Sequence, residues 1–299
     1  MQSMKLSNVL ALVFLTVIAL GVTGCGETVW TESHYYYPDW TPDGRIICVK
    51  EVAEYNRRIR SPFGLTSTER TWTKYYITTM SDEGTQETDI KEISRIGKVS
   101  ASPLGNYIAY TDGNYIRIIS NIGQDVNSIN CEKEVNSVDW NPDEDKIVYS
   151  TYTETTKEIN IISINDLSKS FIAYGDSISW SSNGIYVTYH SYLTTLSGSI
   201  SGGIYVFNNL SGKETIISTM EGAHPDFLPD NIHILYDLGT GRGIKKISQL
   251  SLEKSYILNN YYSLYPKSSP TGQRVIYGEG TDAGIWIVNI DRTGLKQLR

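Results

Sequence analysis

Imidazole is a common ligand for divalent transition metals, and three of the four histidines, His34, His190 and His224, fall at the ends of strand-like segments. No H-x-H or i,i+4 spacing ties any two of them into a ready-made site. The expected metal content is therefore none, with His34, His190 and His224 as the alternative ligand set. A second group is Arg57, Arg58, Arg60 and Arg70 in "RRIRSPFGLTSTER", which fits either an acidic partner or anionic glycan, or simply a solvated loop tip. Tyrosine forms the third group: 22 Tyr stand against 5 Phe, gathered as Tyr35, Tyr36 and Tyr37 and again as Tyr261, Tyr262 and Tyr265. A broad ring with a polar tip suits a contact surface, and equally the covering of a strand edge. Dedicated catalytic motifs are missing, with no GxSxG elbow, HExxH helix, phosphate-binding loop or paired-cysteine zinc site. These residue types point to a non-catalytic binding protein without a cofactor rather than to an enzyme.

Cys25 has a different chemistry. Lys5 precedes an apolar run from Val9 to Val22, and "VTGC" closes it at Cys25. Those 14 residues are short for a membrane span, which needs roughly 20, but suit the core of a signal peptide. Small residues directly before a cysteine resemble the lipobox of bacterial lipoproteins. The resemblance implies that residues 1–24 are removed as a signal peptide and that the Cys25 thiol carries a diacylglycerol, with further acylation at the new N-terminus. Two or three acyl chains anchor stably where one is marginal. The implied location is a bacterial membrane: the outer membrane facing the periplasm in a Gram-negative host, for which Gly26 in place of Asp is the fitting residue, or the outer face of the cell membrane in a Gram-positive one. An ordinary secretory leader with an incidental Cys25 is the alternative. Cys48 and Cys131 remain, too few for a disulfide framework, and packing is their expected role. A net charge of -7 argues against nucleic acid as a partner, because that association needs a concentrated positive field.

These groups need a scaffold, and the sequence repeats one. Six copies align: "DWTPDGRIICV", "SASPLGNYIAY", "DWNPDEDKIVY", "SWSSNGIYVTY", "DFLPDNIHILY" and "KSSPTGQRVIY". Their second residues, Trp40, Ala101, Trp140, Trp180, Phe227 and Ser268, are spaced by 61, 39, 40, 47 and 41. A period near 40 with two enlarged copies is the mark of a repeat architecture. After the second residue comes a turn, with Pro in five copies and Gly where the chain reverses. Then follow a branched column (Ile47, Ile108, Ile147, Val187, Ile234, Val275) and, two residues on, Val49, Tyr110, Tyr149, Tyr189, Tyr236 and Tyr277. A spacing of two places both columns on one face of a strand. Third and fourth strand-like runs follow each copy, for example "KEINIIS" and "KSFIAY". The expected fold is all-β: a six-bladed β-propeller of four-stranded antiparallel blades.

The copies resemble the TolB-type repeat, W-S-P-D-G followed by a branched residue and a tyrosine, over about Tyr37 to Arg299. The expected organisation is a signal peptide at 1–24, a lipidated tether at 25–36 and the propeller at 37–299. The resemblance implies that each first strand lines a central channel, with the Pro-Asp-Gly turns on a lower face and the links between blades and between second and third strands on the upper. Loops at Glu51–Thr71 and His190–Gly203 would enlarge that upper face. Closure is expected by packing of the last blade on the first, or by residues Thr28 to Trp30 pairing with the last blade. In TolB-type propellers the partners are envelope proteins, which implies a membrane-anchored module binding a protein or a glycan. The alternative is a metal-dependent enzyme on acidic polysaccharide, since related propellers include uronate lyases that gather histidines on the upper face.

Overall fold

Each repeat copy folds as one blade. The computed structural model describes residues 27–59, 66–153, 156–194, 200–219, 221–238, 242–259, 262–279 and 284–299. These form six four-stranded antiparallel sheets, in each of which neighbouring strands are consecutive in the chain. Blade one holds β1 (Glu27–Trp40), β2 (Ile46–Ile59), β3 (Thr66–Met80) and β4 (Thr88–Ile93); blade two holds β5 (Val99–Ala101), β6 (Tyr107–Asp112), β7 (Tyr115–Ser120) and β8 (Asp125–Asn130). Blade three comprises β9 (Val135–Trp140), β10 (Lys146–Tyr152), β11 (Lys157–Ser163) and β12 (Lys169–Tyr174), and blade four β13 (Asp176–Trp180), β14 (Tyr186–Thr194), β15 (Ile200–Asn208) and β16 (Lys213–Thr219). Blade five has β17 (Ala223–Phe227), β18 (His233–Asp237), β19 (Gly243–Ser248) and β20 (Lys254–Asn259), and blade six β21 (Ser263–Ser268), β22 (Arg274–Glu279), β23 (Ile285–Asn289) and β24 (Lys296–Gln297).

The repeated columns explain why. At the turn of blade two, the Ser102 hydroxyl accepts the Tyr107 N–H at 2.8 Å while Gly105 N–H reaches the Ser102 carbonyl at 3.0 Å, so one polar residue closes the hairpin. Ser181 does the same for Tyr186 and Gly184 in blade four. The branched and tyrosine columns are buried throughout. Six apolar clusters fill the gaps between neighbouring blades, and the columns enter five of them; in blade one, whose turn is one residue shorter, Ile47 and Val49 face blade two and Ile46 and Cys48 face blade six. Cys48 and Cys131 are free thiols inside two of these clusters, and burial pushes the Cys131 thiol up to about 11. Both are packing residues.

Closure is by packing. Tyr35, Trp40, Ile46, Cys48 and Met80 of blade one meet Ile276, Ile285, Ile287 and Leu298. The seam is rimmed by Arg299 Nε on Glu87 at 2.9 Å and by Lys296 on Glu83 at 2.5 Å. Residues Thr28 to Trp30 belong to β1, whose sheet neighbour is β2, so they do not complete the last blade.

The enlarged copies differ from the expected loops. In blade four the ladder continues past His190 through Ser191↔Gly203, Tyr192↔Gly202, Leu193↔Ser201 and Thr194↔Ile200, and in blade one β2 and β3 reach 14 and 15 residues. Runs rich in Thr and Tyr extend a hairpin at little cost because their side chains suit a pleated surface. Two compact units result. The propeller comprises residues 33–51 and 74–299, and the other unit holds 27–32 and 52–73 among its described residues. Within the latter, Trp30 stacks on Tyr55 at 5.6 Å, Arg58 pairs with Glu27 at 2.9 Å, and Arg70 lies 6.0 Å over the Tyr55 ring. Residues 27–36, expected from the sequence to form a tether, are strand residues of β1. The signal peptide and Cys25 lie outside the described residues.

Along the channel the residue before each Trp-column position reads Asp39, Ser100, Asp139, Ser179, Asp226 and Lys267. Each aspartate binds the next blade. Asp39 accepts from Ala101 N–H at 3.1 Å, Asp139 from Trp180 N–H at 2.7 Å, and Asp226 from Ser268 N–H at 2.8 Å. Ser100 donates to Asp139 and Ser179 to Asp226, while Lys267 Nζ sits 2.9 Å from Asp226. Burial raises the Asp39 carboxyl to about 6 despite the opposing Lys267 charge. Burial also opposes the Lys267 ammonium, but Asp226, Asp39 and Asp139 outweigh it and hold Lys267 above the usual lysine range. One lysine therefore neutralises part of a three-carboxylate girdle, and the girdle holds the first strands in register around the channel.

Candidate binding site at the channel mouth

Two residues up each first strand from the girdle stand Tyr37, Lys98, Ser137, Ser177, His224 and Tyr265, three positions ahead of the Trp column. Tyr37, Ser177, His224 and Tyr265 adopt left-handed backbone, with φ of 51°, 53°, 47° and 56°. In blades four, five and six the pairing register shifts at this point, between Asp176 and Ser179, Ala223 and Asp226, and Leu264 and Lys267. A bulge re-aims side chains that a regular ladder would send elsewhere, and left-handed backbone in non-glycine residues costs of order 1–3 kcal/mol each. Strain of that kind gathers at functional sites. Here the bulged residues line a mouth cavity of about 300 Å³ on the upper face, together with Arg95, Lys98, Glu134, Tyr152, Lys157, Asp176 and His190.

Its charged groups are largely paired. Asp176 accepts from Lys157 and from Asn136 at 2.5 Å, and from Ser150 at 2.7 Å; burial pushes its carboxyl up, but Lys157 and these donors hold it well below the usual carboxylate range. Arg95 pairs with Glu134 at 2.8 Å. His224 Nδ1 lies 2.6 Å from the fully buried Asp237 carboxylate, and its ring packs on Tyr265 with centroids 3.9 Å apart. Burial, reinforced by the neighbouring His224, pushes His190 down to about 4, so it is a neutral imidazole at neutral pH.

Lys98 is the exception. Its ammonium stands 3.7 Å from the Tyr265 ring centre and 4.6 Å from that of Tyr37. Those rings are its contacts, and among the described residues it makes no hydrogen bond or ion pair through Nζ. Burial pulls it down to about 7, with Asp176 and Asp237 only partly offsetting. Below it the channel narrows to a space of about 40 Å³ walled by Pro38, Val99, Val138, Ile178, Pro225 and Pro266.

The sequence-based candidates separate accordingly. His190 and His224 do meet at this mouth, joined by Tyr37 and Tyr265, whereas His34 is not part of the lining. Among the described residues no group of three or more His, Cys, Asp or Glu is placed to hold a metal ion. Tyr35 is buried in the closing seam with its hydroxyl on Glu87 at 3.0 Å, and Tyr36 donates to Glu51 at 2.9 Å; both cover blade edges. Tyr262 is exposed, while Tyr261 and Arg60 lie outside the described residues. Arg57, Arg58 and Arg70 are exposed members of the smaller unit. His233 pairs with Asp230 at 2.6 Å in a lower turn, a structural role. Sequence reasoning did not single out Lys98, Lys157, Asp176, Arg95 and Glu134. Lys98 had a readable signal, being the only lysine in a column otherwise held by Tyr, Ser and His.

No protein-family model and no curated protein matches the chain. Solved structures do. The putative TolB from Agrobacterium tumefaciens is 18% identical with a TM-score of 0.62, over 72% of this chain and 84% of that one. TolB from Acinetobacter baumannii is 11% identical with a TM-score of 0.53, over 90% and 68%, and an oligogalacturonate lyase from Vibrio parahaemolyticus is 10% identical with a TM-score of 0.54, over 85% and 88%. At such identities the likeness is one of fold: the chain is a TolB-like six-bladed propeller.

Proposed function

We propose that this chain is an exported cell-envelope lipoprotein, anchored through Cys25, whose propeller holds a protein partner at the upper mouth of its channel without doing chemistry on it. The mouth itself carries the reading: a strained, preorganised polar cavity in which acids and bases are locked into internal pairs. Paired groups of this kind orient and recognise. Asp176 and His190 are both shifted away from the range that suits a general base near neutral pH, and the one group of the lining pulled to about 7, Lys98, is held against two ring faces. The "VTGC" pattern supports the anchor, and TolB structures among the similar propellers support an envelope setting. A glycan partner fits the same cavity less well, because lysines already stand over its tyrosine faces. Affinity capture of the lipidated protein from solubilised membranes tests the proposal. A reproducible partner lost on mouth substitution is expected, and no partner at all contradicts it.

A second reading is favoured by one observation, the meeting of His190 and His224 in a cavity of a fold shared with an oligogalacturonate lyase in complex with manganese. On that reading the protein is a metal-dependent enzyme on acidic polysaccharide. The described residues offer two imidazoles there and no third donor grouped with them, so the set falls short of a metal centre and no catalytic step is assigned to it. Elemental analysis, with and without His224→Ala, separates the readings. Stoichiometric transition metal lost in the variant supports the enzyme, and its absence from both proteins removes it.

A further inference from the structure

The chain carries a net charge of -7, yet the mouth of its channel presents an ammonium with no anion. Around it Lys157 is paired with Asp176 and Arg95 with Glu134, and His224 is hydrogen-bonded to Asp237. Lys98 alone among these groups has ring faces and no carboxylate in contact. An ammonium held among protein atoms with only ring faces for company loses hydration that cation–π contact offsets only in part. A ligand anion would offset the rest.

We propose that Lys98 is the seat for a single carboxylate of a peptide partner entering from the upper face. This rests on reading the mouth as the docking site. The space below Lys98 is narrow, about 40 Å³, and closed in by three prolines with Lys267 also on its wall, so it admits the end of a group and not a continuing chain. Tyrosine faces are the usual platforms for a sugar ring, but here Tyr37 and Tyr265 face Lys98 and Tyr152 faces Lys157 at 4.6 Å. With those faces occupied, an extended peptide is the better occupant than a glycan. A charge-assisted contact at this depth is worth about 1.5–3 kcal/mol, so losing Lys98 weakens binding roughly ten-fold or more.

The test uses full-length protein in detergent, labelled with ¹³C at lysine Cε, with the Lys98 signal assigned by its loss in Lys98→Arg. The probes are N-acetyl-Gly-Ala with a free carboxylate, the same peptide as its amide, N-acetyl-aspartate amide, and galacturonate. A free peptide carboxylate, terminal or on Asp, should shift the Lys98 signal and raise its titration midpoint, the amide should do neither, and Lys98→Met and Lys98→Gln should abolish binding of the carboxylate peptides. Equal effects of acid and amide, unchanged binding in both variants, or a response to galacturonate without one to the peptides would overturn the proposal. Membrane capture run in parallel separates two failures. A partner still cross-linked at the mouth in Lys98→Met contradicts the carboxylate seat alone, and a partner that never cross-links at the mouth contradicts the docking site itself.

Discussion

Lys98 and Lys267 border the same narrow channel space and titrate in opposite directions. Three carboxylates surround Lys267, while two rings face Lys98. Because the folded protein holds Lys98 near 7 and the unfolded chain holds it near 10.4, folding expels a proton between those values. The resulting penalty is full below pH 7 and fades as pH approaches the unfolded value. Lys98→Met should therefore melt higher than the parent at pH 6, by roughly 1–3 kcal/mol after water in the channel screens part of the shift, and the gain should vanish near pH 10. A variant less stable at pH 6 would refute the unpaired ammonium. The opposite holds for Lys267. Lys267→Met strands the aspartate girdle and should cost about 3–5 kcal/mol at pH 8. That deficit should shrink at pH 5, because Asp39, already raised to about 6, takes up a proton. Thermal melts at the two pH values decide it.

At the scale of elements, the six blades were legible because most columns keep one physical role from copy to copy. A hydroxyl or amide closes the hairpin in every copy but the fifth, where Leu228 stands, and a branched residue and a tyrosine face the preceding blade in every copy but the first, where Ile46 and Cys48 take those places. A single degraded position such as Ala101 or Ser268 leaves the roles of its neighbours intact. The two hairpin extensions were not legible, since Thr, Ser, Tyr and Gly serve a loop as well as a ladder. The mouth was half legible. His190, His224 and the tyrosines drew notice as residue types, but their convergence depends on bulges that shift the first strands out of register, and Asp176 is matched to Lys157 only across the blade. Gly97 tests the geometry behind Lys98. A Cβ at that position would come within 2.1 Å of the Thr111 carbonyl oxygen on β6, a backbone atom that cannot swing aside. Gly97→Ala should force β5 away from β6 and cost about 2–3 kcal/mol in a denaturant titration. A neutral result would mean that the pairing around Lys98 is looser than this close approach requires.

For the whole molecule, the proposal joins an anchor to a mouth. Cys25→Ser should leave the propeller folded, since the blade columns begin well after it, but should lose labelled fatty acid and move from the membrane fraction to the soluble one. Retained label and unchanged fractionation would mark Cys25 as part of an ordinary secretory leader. The central claim is that a partner docks at the upper mouth. The most direct measurement replaces Tyr152, 43% exposed on the mouth lining, and separately Leu210, 77% exposed on a turn of the lower face, with a photo-reactive residue in otherwise intact protein on membranes. A defined partner adduct from position 152, absent from position 210 and suppressed by Lys98→Met, is the predicted result. Adducts from position 210 alone, or from neither position while membrane capture still yields the partner, would contradict it.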